Sequence, residues 1–111
     1  MDNEYEVKVT RQALEQMREI IHYISYDLMS PEAAERLMND LKVAIMKLSV
    51  LPKRNSTIDE EPWKSEGIRK IIVKNFIIYY WVDDEFDKVQ VIAVIYNKRD
   101  QIKQLMNIET L

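Results

Sequence analysis

Apolar residues alternate with polar ones first at Tyr5, Val7 and Val9, with Glu6 and Lys8 between them, the period of two that marks a strand with one face on a core. At Thr10 the period changes. Thr10 offers the hydroxyl of an N-cap, and Val9 before it is placed to pack on Leu14 as a hydrophobic staple. Ala13, Leu14, Met17, Ile20, Ile21, Ile24 and Leu28 then recur at spacings of three and four, which predicts an amphipathic helix to about residue 29. Ser30-Pro31-Glu32 signals a second start, with a hydroxyl cap, a proline where its missing N–H costs nothing, and an acid suited to the helix dipole. Ala34, Leu37, Leu41, Ala44, Ile45 and Leu48 form its stripe, and Pro52 stops it near Leu51. So short a connection predicts an antiparallel helical hairpin.

Residues 53–66, KRNSTIDEEPWKSE, have no periodicity and carry the acid run Asp59-Glu60-Glu61. They are expected as a solvated loop, with Pro62-Trp63 as its anchor. Three strand-like runs follow, near 68–74, 76–83 and 88–96, separated by Asn75 and by Asp83-Asp84-Glu85-Phe86-Asp87. Such short breaks predict a meander of antiparallel hairpins. Ile102, Leu105 and Met106 stand at helical spacing and predict a short last helix. The expected architecture is α+β: an antiparallel four-stranded sheet with an N-terminal helical hairpin packed on one face, in the order β-α-α-β-β-β-α. Within GIRKIIVKNFIIYYWV, residues 67–82, the cations Arg69, Lys70 and Lys74 interrupt an apolar run. A strand buried on both faces excludes charge, so the second face of the sheet is expected to be accessible. Strand parity sends Lys70 and Lys74 to one face and Arg69 to the other.

Composition narrows the classes. At 111 residues the chain has the size of one domain, and its 47% hydrophobic and 32% charged residues suit a folded protein. With no cysteine, disulfides, thiolate metal sites and thiol catalysis are excluded. A start of MDNEYEVKV has acids where a signal peptide needs a basic region, and no apolar run nears the roughly 20 residues of a membrane span. A cytoplasmic protein with no membrane partner is expected. The net charge of -3 argues against nucleic-acid binding through an overall positive field. Cations are nonetheless enriched in the strand-rich half: nine Lys and Arg face thirteen Asp and Glu over residues 1–66, and seven face six over 67–111.

One glycine cannot build a phosphate-binding loop, and no His/Cys metal spacing exists, so nucleotide and zinc chemistry drop out and no cofactor is expected. His22 lies mid-helix beside the apolar stripe, as a surface residue would. Asp83, Asp84, Glu85 and Asp87 lack a calcium-loop pattern and suit a solvated hairpin tip. Trp63, Tyr79, Tyr80, Trp81 and Tyr96 suit packing on a sheet. What remains is the set Arg69, Lys70, Lys74, Lys98, Arg99 and Lys103, able to meet a phosphate backbone or an acidic partner, or to form a solvated rim.

With YEV-x-V-T entering a helix, SPEAAERLMNDL, LSVLP, GIRK, NFIIYYWVD, VQVIAVIYNKRD and Leu105 in this order, the chain resembles the RelE/ParE superfamily of toxins from type II toxin–antitoxin modules. The resemblance spans nearly all of residues 1–111 and implies a single toxin domain that inhibits bacterial growth. It also implies neutralisation by a cognate antitoxin wrapped on the helical hairpin and sheet, in a toxin–antitoxin hetero-oligomer. Two targets are open. RelE-like members cut mRNA on the ribosome; here that role would fall to Arg69, Arg99, Lys74 and Lys98, whereas QIKQLMNIETL lacks the usual terminal tyrosine or histidine, and Ile72 and Ile77 stand where nucleases often have bases. ParE-like members poison DNA gyrase and carry a G-x-R element and a C-terminal Arg-Asp followed by leucine. Gly67-Ile68-Arg69, Arg99-Asp100 and Leu105 fit that pattern better, with Arg69, Lys98, Arg99 and Lys103 as target contacts. A degenerate toxin kept as an antitoxin-binding module is the third possibility.

Overall fold

A computed structural model describes residues 4–97. The chain runs through β1 (Glu6–Val9), α1 (Arg11–His22), a π-helical turn (Tyr23–Asp27), α2 (Pro31–Met46), 3₁₀ turns at Lys47–Ser49 and Pro52–Arg54, then β2 (Arg69–Val73), β3 (Phe76–Asp83) and β4 (Lys88–Tyr96). The order agrees with the sequence pattern up to β4; the last helix expected around Ile102, Leu105 and Met106 lies outside the described residues.

Thr10 caps α1 as its side chain suggests, with Oγ1 accepting from the Ala13 N–H at 3.2 Å. Ser30 stands at the N-cap of α2, but its hydroxyl makes no capping bond at its φ of -132° and ψ of 68°. Proline at the first position of α2 removes one N–H that would need a cap, so the helix starts without it.

The sheet order is β1-β4-β3-β2, and the sheet is mixed. β2, β3 and β4 form the antiparallel meander, but β1 pairs parallel with β4, Val7 opposite Val89 and Val9 opposite Val91. The expected all-antiparallel sheet is therefore corrected, and the reason lies in the helices. α1 continues in the direction of β1 along the upper part of β4, where the Thr10 N–H donates to Val91 O and the Val94 N–H to Gln16 Oε1. α2 brings the chain back, so that Ser49 O accepts from the Tyr5 N–H at the start of β1. β2 must then run as β1 does, and two hairpins later so does β4.

Helices cover one face. Ala13, Met17, Leu37, Leu41 and Ile45 pack there against Ile78, Tyr80, Val89, Val91 and Val94. The second face, which the strand cations suggested would be accessible, is open only in part: Ile58, Trp63 and Ile68, from the loop before β2 and its junction, pack on Ile77, Tyr79, Ile92, Ala93 and Ile95 as a second apolar cluster, while Lys70 and Ile72 of β2 stay exposed on that side. A bulge makes both clusters possible. Tyr79 pairs with Ala93 but Tyr80 with Val91, which leaves Ile92 as an extra residue on β4. Val89 and Val91 face the helices, Ile92 and Ala93 face the loop, and Val94 returns to the helices.

Candidate functional site

Gly67 precedes β2 with φ of 78°, a left-handed value. A Cβ there would meet nothing within 4 Å, so glycine is required for its backbone freedom and not for room. Its N–H donates to Lys64 O, and the Ile68 N–H to Trp63 O. The chain thereby leaves the loop in the direction that lets Arg69 begin β2, between Tyr80 of β3 on one side and an isolated bridge to Thr57 on the other.

Arg69 points to the helix-covered face, as its parity with Ile71 and Val73 requires, and is half-buried. Its Nη1 donates to the carbonyls of Lys53, at 3.1 Å, and of Asn55. Bonds of this charge-assisted kind are worth about 1.5–3 kcal/mol each. Directly opposite, Tyr80 is buried to 0% exposure; its hydroxyl donates to Pro52 O at 2.6 Å and accepts from Asn55 Nδ2 at 3.0 Å. Burial raises the Tyr80 pKa, while the Asn55 bond and the charges of Arg69 and Arg54 act against the rise. Two side chains from adjacent strands thus hold three carbonyls of the turn, those of Pro52, Lys53 and Asn55.

The outer side of that turn carries charge. Lys53 Nζ meets Asp84 Oδ2 at 3.0 Å, and the Tyr5 hydroxyl donates to Asp84 Oδ1 at 2.9 Å. The Lys53 bond, then the Tyr5 bond, holds the Asp84 carboxyl below its ordinary range, and the same contact with Asp84 raises the Tyr5 pKa. Arg54 is exposed beside a cleft of about 160 Å³ whose walls include Lys47, Leu51 and Ile72.

Lys74 is elsewhere. It sits in the two-residue turn between β2 and β3 with φ of 54°, and its Nζ pairs with Asp40 of α2 at 2.9 Å. The parity expectation placed it with Lys70 on the face away from Arg69; the left-handed backbone ends the alternation, so the side chain swings back to the helices. Lys70 is exposed as expected. Arg69 begins β2 and Lys74 follows its end, so their backbones stand roughly 17 Å apart at most, at about 3.3 Å per residue. Lys98, Arg99 and Lys103 lie outside the described residues. Sequence reasoning assigned Lys53, Arg54 and Asn55 to a solvated loop and Tyr80 to packing. The available signal was Lys-Arg-Asn directly after the proline that ends the helices.

Among the described residues no group of three His, Cys, Asp or Glu side chains is placed to hold a metal ion, and no helix is long and apolar enough to cross a membrane.

A family model for the ParE toxin of the type II toxin–antitoxin system, parDE, matches residues 7–101. No curated protein matches the chain. Among solved structures, a chain of the chromosomal ParDE TA system from P. aeruginosa superposes with a TM-score of 0.66 at 19% identity, over 85% of this chain and 97% of that one. The toxin–antitoxin complex RelBE2 from Mycobacterium tuberculosis gives 0.59 at 18% identity, over 86% and 97%. A mutant of the E. coli toxin RelE in the free state gives 0.59 at 19%, over 91% and 92%. At these identities the likeness to each solved structure is one of fold.

Proposed function

The chain belongs to the ParE toxin family of type II toxin–antitoxin systems, a branch of the RelE/ParE superfamily, and from that premise we propose that residues 1–111 form one toxin domain that arrests bacterial growth by docking on DNA gyrase in the cytoplasm. Arg69, Lys98, Arg99 and Lys103, from the G-x-R element and the C-terminal segment, are the positions the family resemblance assigns to the target. The observation that favours a protein target over RNA cleavage is the separation of Arg69 and Lys74, the two of the four nuclease candidates that are among the described residues. Arg69 is engaged by turn carbonyls at one end of β2, and Lys74 is paired with Asp40 beyond the other. Stabilising a phosphorane requires donors that converge on one reacting centre. Ile77, where nucleases often carry a base, is packed in the second apolar cluster.

Neutralisation by a cognate antitoxin is part of the same proposal. Leu14, Tyr23, Tyr26, Leu28, Met29, Val43 and Met46 all leave large apolar side chains exposed along the helical hairpin. A surface of that kind suits a partner that buries it in a hetero-oligomer.

The decisive measurement is a gyrase supercoiling assay with purified toxin, run beside mapping of mRNA breaks after induction. Inhibition of supercoiling at micromolar toxin with transcripts intact is expected. Breaks at ribosomal A sites with gyrase unaffected would move the chain to the RelE-like nucleases. Normal colony growth without any antitoxin would make it a binding module that has lost toxicity.

A further inference from the structure

Among the described residues Arg69 is the cation that the family resemblance selects as a target contact, yet its guanidinium is already in use. Nη1 carries two hydrogens, and the carbonyls of Lys53 and Asn55 take both. The end-on fork with which arginine grips a carboxylate needs a free N–H on each terminal nitrogen, and here one terminal nitrogen is spent. Swinging the side chain outward would also strip two carbonyls of their donor. What Arg69 holds by this arrangement is the turn that carries Arg54. Tyr80, which no partner can reach, holds the same turn through Pro52 O and Asn55 Nδ2.

The turn is costly to keep in shape. Leu51 enters it with φ of 49° and ψ of 53°, a left-handed conformation unfavourable for a branched side chain, and that side chain is 55% exposed. Strain of this kind persists where the surroundings enforce it and clusters at functional positions. The cleft beside it is lined by Lys47, Leu51, Arg54 and Ile72 and by no acidic residue. Among the described residues Lys47 and Arg54 have no ion-pair partner, and both are exposed. Unpaired cations around exposed apolar side chains complement an acidic segment with an apolar residue, and arginine beside a hydrophobic pocket is a frequent anchor of protein interfaces.

We propose that Arg69 is a positioning residue which, with Tyr80, clamps the Pro52–Asn55 turn, and that Arg54 on that turn is the cation that meets a carboxylate-bearing segment of the target protein. The assignment of a protein target rests on the function proposed above; the clamp does not.

The test compares Arg54→Ala, Arg69→Ala, Tyr80→Phe and the two doubles that add Arg54→Ala to each of the others. Growth arrest on induction and gyrase inhibition are read in cells and with purified protein, and amide hydrogen exchange is followed in the free toxin. Arg54→Ala is expected to weaken inhibition about tenfold, as losing one interface charge pair does, with exchange unchanged. Arg69→Ala and Tyr80→Phe are both expected to weaken it and to speed exchange of the Arg54 and Ile58 amides, and neither double should be weaker than its weaker single parent. Tyr80→Phe keeps the cation and removes only a buried hydroxyl, so full potency there with loss in Arg69→Ala would show that Arg69 touches the target itself. Arg54→Ala with undiminished inhibition, or losses that multiply in the doubles, would overturn the proposal as well. A native toxin that inhibits neither gyrase nor growth would sink the target assignment and the Arg54 contact together, and unchanged exchange in Arg69→Ala would sink the clamp independently.

Discussion

Tyr79 and Tyr80 are neighbours on β3, both almost fully buried, and they do different work because successive strand residues face opposite sides. Tyr80 looks toward the helices and spends its hydroxyl on the turn beside Arg69. Tyr79 looks into the loop-covered cluster, where burial, with Glu60 adding to it, pushes its pKa up to about 12 from an ordinary 10.0. The sign of the consequence follows from linkage. The folded state keeps the phenol neutral to higher pH than the unfolded chain does. Its contribution is therefore complete below pH 10 and is lost as pH climbs toward 12, at up to about 1.4 kcal/mol per pH unit. Chemical denaturation between pH 9 and 12 should show Tyr79→Phe losing stability less steeply than the native protein. Parallel curves would mean that the phenol is not what ionises on unfolding.

At the scale of elements, the bulge in β4 explains how one nine-residue strand serves two cores. An extra residue at Ile92 breaks the ladder locally, and α1 supplies the missing partners. Thr10 Oγ1 lies 3.4 Å from Ile92 O, and Gln16 Oε1 accepts from the Val94 N–H at 2.9 Å. Past Val9 there is no further strand beside β4, so without Gln16 that N–H would be covered and unbonded. Gln16→Ala should cost about 1–3 kcal/mol, the penalty of an orphaned donor, read as a lower urea midpoint with unchanged slope. A loss below about 0.5 kcal/mol, the usual range for an exposed helix position, would mean that water replaces the carboxamide. The Lys74–Asp40 pair is the contrasting case. Both side chains are about half exposed, at 57% and 43%, and such pairs contribute about 0–1 kcal/mol.

Over the whole molecule, the sheet carries an apolar cluster on each face, the second one over β3 and β4. Residues 53–66 read as a solvated loop because their acids hide the few apolar residues that matter. Ile58, at 3% exposed, donates its N–H to Ile68 O, and Trp63 packs beside it. If this layer belongs to the cooperative unit, Ile58→Ala should lower global stability by about 2–4 kcal/mol, the range for deleting a buried isoleucine side chain. Loss of loop protection with an unchanged melting transition would make the layer a separate, local unit. The covered face also bears on function. A reactive surface on that side would have to be reached through the loop, whereas the corner around Arg54 is open to a protein partner.

Period and capping residues by themselves determined the two helices of the hairpin, the Thr10 cap and the antiparallel hairpins of β2, β3 and β4, and the order of the motifs carried the resemblance to the family, since these depend on near neighbours in sequence and on their order. Three things were decided only by tertiary structure. The edge at which β1 pairs depends on where α2 returns the chain, not on any residue within β1. The burial of the second face depends on Ile58 and Trp63, whose spacing follows no period because the loop follows none. The engagement of Arg69 depends on carbonyls 14 and 16 residues away. A backbone carbonyl has no signature in a sequence, so no pattern of side chains distinguishes an arginine that reaches outward from one that holds a turn.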